Sequence, residues 1–341
     1  MYSLELNEYD YKVYEQELKD FIPDKFIDLH AHIWKNSFKP YGKANGGATW
    51  IDLVADEISA EQLVDTYIKL FPQKEVTPLI FGGIKHNIKE CNDYVFDASK
   101  KFNFPALLRT DYAMTGEEVE SLGKEYGFVG IKPYITNCPP YIPENEIRIF
   151  DFLPYEHLKV ADKNGWIVML HIPRSNRLRD AVNIAQLMEI EEKYPNLKLV
   201  VAHIGRAYSV EDIGNAFNVL KNTKNMLFDF TANLSDDAIK ACIEAVGTKR
   251  LMFGSDLPIS NMRMYRVVEN GFYYNVVPKG LYGDISSDPH MRDTVNEDIT
   301  LMLYEQLRAL KRVAYSLKLS DNQIEDIMYT NSKKLIESVP K

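Results

Sequence analysis

The sequence predicts a parallel α/β fold of the closed (β/α)8 type, a TIM barrel, and three observations carry that expectation. Eight apolar runs of strand length recur along the 341 residues. Stretches with a helical pattern separate most of them, the signature of parallel pairing through crossover helices. Polar residues suited to a common site end several of the runs, the first and the last among them, and only a closed sheet brings a first and an eighth strand together. An open doubly wound sheet is the alternative. It is disfavoured because no glycine-rich phosphate turn follows the first strand.

The elements follow in order. The first 24 residues read as a helix laid outside the first strand and stopped by Pro23. Candidate strands are 26–33, 78–83, 106–111, 129–135, 166–171, 197–203, 226–231 and 250–256. Most are rich in Val, Ile, Leu, Met or Phe, the composition of strands covered on both faces. Helical patterns occupy 115–126, 180–194 and 236–246, the last with Ser235 or Asp236 as its N-cap. A long loop after the first strand, about 34–60 and including YGKANGGATW, hangs over the proposed site. An insertion after the eighth strand, 258–295, carries Arg263, Tyr265, Arg266, Tyr273 and Tyr274 and suits a lid or an oligomer contact. Segments 296–315 and 321–338 read as two closing helices, the second capped by Ser320 or Asp321. No linker divides the chain, so 1–341 is read as a single domain.

Bulk properties narrow the function classes. An apolar fraction of 45% supplies a sizeable core, and 40 basic against 49 acidic residues give a formal charge of −9 with no basic block, which argues against a nucleic-acid surface. The stretch MYSLELNEYDYKVYEQELKDF is polar and acidic, unlike a secretion signal, and no run approaches the roughly 18 apolar residues of a membrane span. Cys91, Cys138 and Cys242 are few, distant and odd in number, which suits a reducing compartment and offers no disulfide framework. The expectation is a cytoplasmic protein without nucleic-acid or membrane partners.

The candidate site begins with His30 and His32 in FIDLHAHIW. Alternate residues of a strand share a face, so both imidazoles can hold one ion. His171 in WIVMLHIP, His203 in LKLVVAHIGR and Asp256 in RLMFGSDLP each end an apolar run. An unpaired carboxylate or imidazolium is expensive to bury, whereas a divalent cation compensates an Asp and several neutral imidazoles at once. Five hydrogen-bonded core side chains are the alternative reading.

In chain order the motifs DLHAH, GIKPY around Lys132, LHIP, AHIG, GSDLP and IMYTNSKKLI resemble the amidohydrolase superfamily. The likeness is to the branch of aminocarboxymuconate-semialdehyde decarboxylase, related aromatic decarboxylases and dicarboxylate lactonases, and it runs through most of the chain. It implies that His30, His32, His171 and Asp256 coordinate one divalent ion, zinc first and manganese second. It also implies that His203 lies beside the ion to bind or protonate the substrate, and that Asp256 takes a proton from an attacking water and returns it to the leaving group. In some branches a fourth-strand lysine is carboxylated and bridges two metals. GIKPY looks more like the mononuclear branch, in which Lys132 stays free to hold a substrate carboxylate or pairs with a carboxylate such as Asp28.

Arg174 and Arg206 each follow a candidate histidine by three residues, and Arg109, Arg263 and Arg266 are further cations. Guanidinium groups pair bidentately with carboxylates, so a small anionic substrate is expected, held first by Arg174 and Arg206. Trp34, Trp50, Tyr134 and Tyr208 are candidates for a flat wall. His86 reads first as a partly exposed loop histidine and second as a residue that reaches the site from the loop, while His157 and His290 receive no role. The expected activity is hydrolysis of a lactone, ester or amide of a small carboxylated molecule by metal-activated water. Non-oxidative decarboxylation is the runner-up, and a barrel that only binds or regulates is a third reading. A homo-oligomer built through the aromatic insertion is also expected.

Overall fold

The structure, a computed structural model, describes residues 4–39, 53–84 and 86–340. Eight strands appear where apolar runs predict them: β1 Lys25–Ile33, β2 Glu75–Gly82, β3 Leu107–Thr110, β4 Gly130–Pro133, β5 Ile167–Leu170, β6 Lys198–Val201, β7 Leu227–Asp229 and β8 Leu251–Met252. Strands β3 to β8 form one parallel six-stranded sheet in chain order, and β1 and β2 form a parallel pair. The pair is joined at both edges. Ile80 N donates to Pro105 O at 3.0 Å on the β3 side, while Leu29 N donates to Phe253 O at 3.0 Å and His32 N to Leu257 O at 2.9 Å on the β8 side. Parallel bridges Ile80–Ala106 and Ala31–Leu257 mark the same two seams.

Helices cover the strands as the alternation predicts. Gly116–Tyr126 is capped by a reciprocal Thr115–Glu118 box, Ala181–Lys193 by Asp180, and Asp236–Val246 by Ser235. Strands β3, β4 and β5 are buried along their whole length between those layers, which is why they read as continuous apolar runs.

A register shift in β1 positions the first candidate ligands. Asp28 pairs with Pro78 but Ala31 pairs with Ile80, so β1 carries one extra residue across the step. The fully buried Asp28 carboxylate fills the gap, accepting from His30 N at 3.0 Å, Ser255 N at 2.8 Å and Tyr67 Oη at 2.5 Å, with Ser255 Oγ as a further donor. One side chain therefore stitches β1 to the turn after β8.

Three regions depart from the predicted elements. The leading helix is short, Glu8–Val13 followed by a π-helical turn Tyr14–Leu18. The insertion is a three-stranded sheet of β9 Tyr265–Glu269, β10 Phe272–Pro278 and β11 Met291–Thr294. Its hairpin turns on Asn270 and Gly271, both with positive φ (51° and 79°), as a tight two-residue turn requires. The helix expected from residue 296 begins at Met302, because the preceding residues pair with the insertion: Met264 N donates to Thr300 O at 3.1 Å and Met302 N to Met262 O at 2.7 Å. Residues 40–52 of the loop after β1, Trp50 included, lie outside the described residues.

Arg263 serves the fold. Its guanidinium donates to both oxygens of the fully buried Asp10, Nη1 at 3.0 Å and Nη2 at 2.5 Å, clamping the leading helix to the insertion, and the substrate role open to it in the sequence falls away. Removing one partner of such a pair leaves a buried charge uncompensated. Arg263→Ala is expected to lower stability by about 3–5 kcal/mol in urea unfolding. A loss under about 1 kcal/mol would place the pair with weak surface bridges and refute the clamp.

Candidate active site

The carboxyl ends of the strands open into one cavity of about 1150 Å³, whose walls include His30, His32, Lys132, His171, His203 and Asp256. All six are sequence-predicted site residues. His30 and His32 project from β1 with ring centroids 5.3 Å apart, and the His203 ring stands 5.1 Å from both His30 and His171. Asp256 Oδ1 lies 3.0 Å from His32 Nε2 and 3.6 Å from His30 Nε2. His30, His203 and Asp256 bring ligand atoms within 4.8 Å of one another. His32 joins that group through Asp256, and His171 through the His203 ring.

The candidates do not lie on the strands to the extent predicted. His171 follows the last residue of β5, His203 stands beyond β6, and Asp256 stands well beyond β8. There the backbone turns left-handed: Arg174 (φ 67°), His203 (59°), Arg206 (59°) and Asp256 (64°) all adopt a conformation that costs a non-glycine residue about 1–3 kcal/mol. These turns end the ladders and lift the side chains into the cavity.

The outward nitrogens of three rings are fixed. His30 Nδ1 meets Asp229 Oδ2 at 3.1 Å, His203 Nδ1 meets Thr231 O at 2.9 Å, and His32 Nδ1 meets Tyr134 Oη at 3.2 Å. The first two acceptors require a proton on Nδ1. The Tyr134 hydroxyl has its own acceptor in Gly82 O at 2.8 Å, so it can receive a proton from His32 in the same way. Burial pushes the His30, His32 and His171 imidazoles down, which keeps them neutral. Burial works against the Asp256 carboxylate too, but the His32 contact and the neighbouring imidazoles outweigh it and hold the carboxyl at about 2. The bare Nε2 lone pairs of His30 and His203 thus face an anion, and His32 Nε2 joins them in the tautomer that carries its proton on Nδ1. That set of acceptors fits a divalent cation, and its mixture of imidazole and carboxylate suits zinc, manganese or iron.

Gly254 is required at this crossing, since a Cβ there would come within 2.2 Å of Thr231 Oγ1 and 2.7 Å of His30 Cβ.

Lys132 does not pair with Asp28, whose oxygens are taken by Tyr67, Ser255 and His30. Its ammonium lies 5.1 Å from the Phe81 ring and 5.4 Å from Tyr134. Burial brings it down to about 8, although Asp229 and Asp256 act in the opposite direction.

The predicted arginines separate. Arg174 and Arg206 line the cavity, whereas Arg109 spends its guanidinium on the carbonyls of Gly83, His86 and Ile84 at 2.6–2.8 Å and holds the loop after β2. Arg266 packs on Tyr208 at 4.4 Å and bonds Asn275 within the insertion. His86 and Trp34 lie against each other on the cavity wall, 5.7 Å between centroids, and His290 joins the outer wall with a 3.2 Å contact to Arg177.

Two contributors escaped the sequence reading. Arg177 lines the cavity and pairs with Asp212 at 2.8 Å. Asp229 is fully buried; besides His30, it accepts from His203 N at 2.7 Å and Thr231 N at 3.1 Å. An acidic residue interrupting the seventh apolar run, 226–231, was the available signal, akin to the one that marked Asp256.

Comparisons with known proteins agree with this architecture. The sequence pattern of the family described as Amidohydrolase matches residues 27–337. No curated protein sequence matches. Among solved structures, a probable 2-pyrone-4,6-dicarboxylic acid hydrolase from Acinetobacter baumannii is similar with a TM-score of 0.57 at 15% identity, covering 92% of this chain and 99% of that one. A 4-oxalomesaconate hydratase from Rhodopseudomonas palustris gives 0.55 at 16% identity, covering 92% and 95%. A dihydroxybenzoic acid decarboxylase from a Polaromonas species, with manganese and an inhibitor bound, gives 0.56 at 12% identity, covering 93% and 98%. At these identities the likeness is one of fold. No helix among the described residues is long and apolar enough to cross a membrane.

Asp229 offers a direct check on the centre. Groups that orient ligand imidazoles typically contribute about 10–100-fold to metal affinity. Asp229→Asn is expected to weaken divalent-metal binding by that factor in chelator competition while the protein stays folded. Unchanged affinity would mean that Asp229 is only a core hydrogen-bonding group.

Proposed function

The chain belongs to the amidohydrolase family, and on that premise we propose that it is a metal-dependent hydrolase acting on a lactone, ester or amide of a small carboxylated molecule. The observation that carries the reading is the convergence of bare imidazole nitrogens on the Asp256 carboxylate, with the outer nitrogens already saturated. The proposed ligands are His30, His32, His171 and Asp256, with one zinc ion, or manganese in its place. The proposed frame is a closed (β/α)8 barrel within a single domain, 1–341, supported by the hydrogen bonds at both edges of the β1–β2 pair. A cytoplasmic location and a homo-oligomer complete the proposal.

A divalent cation held there would lower the pKa of a bound water toward neutrality and polarise a carbonyl. The remaining work falls to the chain. Asp256, ionised and adjacent to the ligand rings, accepts the proton of the attacking water and returns it to the leaving group. His203, whose Nδ1 proton is tied to Thr231 O, presents Nε2 to the same space and orients the carbonyl or the water. Lys132, buried beside Asp256, offers an ammonium to negative charge that develops in the transition state. Arg206 holds the substrate's own carboxylate, and Arg174, paired with Asp180, lines the wall beside it.

Decarboxylation is the second reading, favoured by the similarity in fold to the manganese-bound decarboxylase. In it, the same ion would hold the substrate carboxylate, and Asp256 or His203 would deliver a proton to carbon.

Purified without chelator, the protein is expected to hold close to one metal equivalent; two would favour a carboxylated Lys132. Asp256→Asn should cost about 10²–10⁴ in turnover. His203→Asn should keep the metal yet lose turnover. Product analysis separates the two chemistries: one acid equivalent per bond without gas means hydrolysis, and carbon dioxide release means the lyase. A protein that binds no divalent metal would end both readings.

A further inference from the structure

The loops after β5 and β6 place four arginines on the cavity wall, Arg174, Arg177, Arg179 and Arg206; Arg179 is exposed, and their partners set the other three apart. Arg174 Nε is held by Asp180 Oδ1 at 2.9 Å, and Arg177 Nη1 by Asp212 Oδ2 at 2.8 Å. Asp180 cannot leave Arg174 freely, because the same oxygen caps the helix Ala181–Lys193 through Val182 N at 3.0 Å and Asn183 N at 3.3 Å. Both guanidinium charges are therefore already matched.

Arg206 is different. Its Nη1 reaches only backbone carbonyls, Arg174 O at 3.2 Å and Ile172 O at 3.5 Å, and no carboxylate among the described residues pairs with it. It lines the same cavity as His171 and His203 and follows His203 by three residues. A half-buried guanidinium with its charge unmatched strongly favours an anion that presents two oxygens.

The loops after β1, β2 and β4 give the cavity an apolar surface of Trp34, Ile84 and Ile135, with Ile84 39% exposed at the mouth. The nearby cation Lys39 is paired with Asp56.

We infer that Arg206 is the specificity-determining cation of this site: it receives the carboxylate of a compact ligand whose apolar body lies on Trp34, Ile84 and Ile135. Arg174 shapes the wall but carries little of the anion's binding. The inference builds on the proposed hydrolase reading, yet the binding it describes is measurable without turnover.

The test is calorimetric titration of benzoate, benzamide and acetate into the full chain, loaded with zinc and again after metal removal. Benzoate should bind both forms, with benzamide and acetate much weaker. Arg206→Gln should weaken benzoate by about ten- to a hundredfold in both forms, Arg206→Lys should recover part of the loss, and Arg174→Gln should change little. Thermal unfolding establishes that each variant is folded, and the Lys variant carries the comparison should the Gln variant fail. A larger loss in Arg174→Gln than in Arg206→Gln overturns the assignment. So does benzoate binding that disappears with the metal and ignores Arg206, which would put the carboxylate on the ion. No benzoate binding to the unsubstituted protein in either form overturns the ligand class. Failure of the metal-centre reading shows separately, as a protein that takes up no zinc in the loading step while its benzoate binding still depends on Arg206.

Discussion

A carboxylate facing the unprotonated nitrogens of neighbouring imidazoles in a sheltered cavity is an arrangement of acceptors without donors. Each such group left unsatisfied costs about 1–3 kcal/mol. The fold maintains the conflict by engaging the opposite edges of the rings: Asp229 holds His30, the Thr231 carbonyl holds His203, and Tyr134, itself donating to Gly82, stands at His32. Asp28 does the equivalent for the backbone, fixing the extra residue of β1 against the turn that carries Asp256. The rest of the site follows from that opposition, because a cation is what relieves it.

Much of this was legible in the sequence, and the reason is local. Buried parallel strands must be continuously apolar, so eight of them declare themselves, and a polar residue that interrupts the pattern at the end of a run needs a partner. That logic found His30, His32, His171, His203 and Asp256. Applied as strictly to LFDFTAN, it would have found Asp229. The insertion was also readable: VVENGFYYNVV carries Asn-Gly between apolar stretches, a strong short-range hairpin signal.

Other features had no local trace. His203, Arg206 and Asp256 do not favour positive φ, so the turns that end β6 and β8 early could not be foreseen. Five arginines looked alike because the role of each depends on which carboxylate or carbonyl the fold delivers. Asp180 lies six residues from Arg174, Asp212 lies 35 from Arg177, and Asp10 lies 253 from Arg263. Arg109 turns to three carbonyls of a single loop, and Arg206, half-buried on the cavity wall, reaches only the carbonyls of Ile172 and Arg174.

The longest of those separations bears on how the molecule is made. A ribosome releases the leading helix early, and its Asp10 carboxylate stays hydrated until Arg263 and Thr300 emerge to enclose it. A nascent chain halted just before that arginine would already contain β1 through β8 and every candidate ligand. Its first helix would still be unmoored, and the rim supplied by β10 would not yet exist. Completion of the cavity therefore comes after the strands that hold the reactive groups have been laid down.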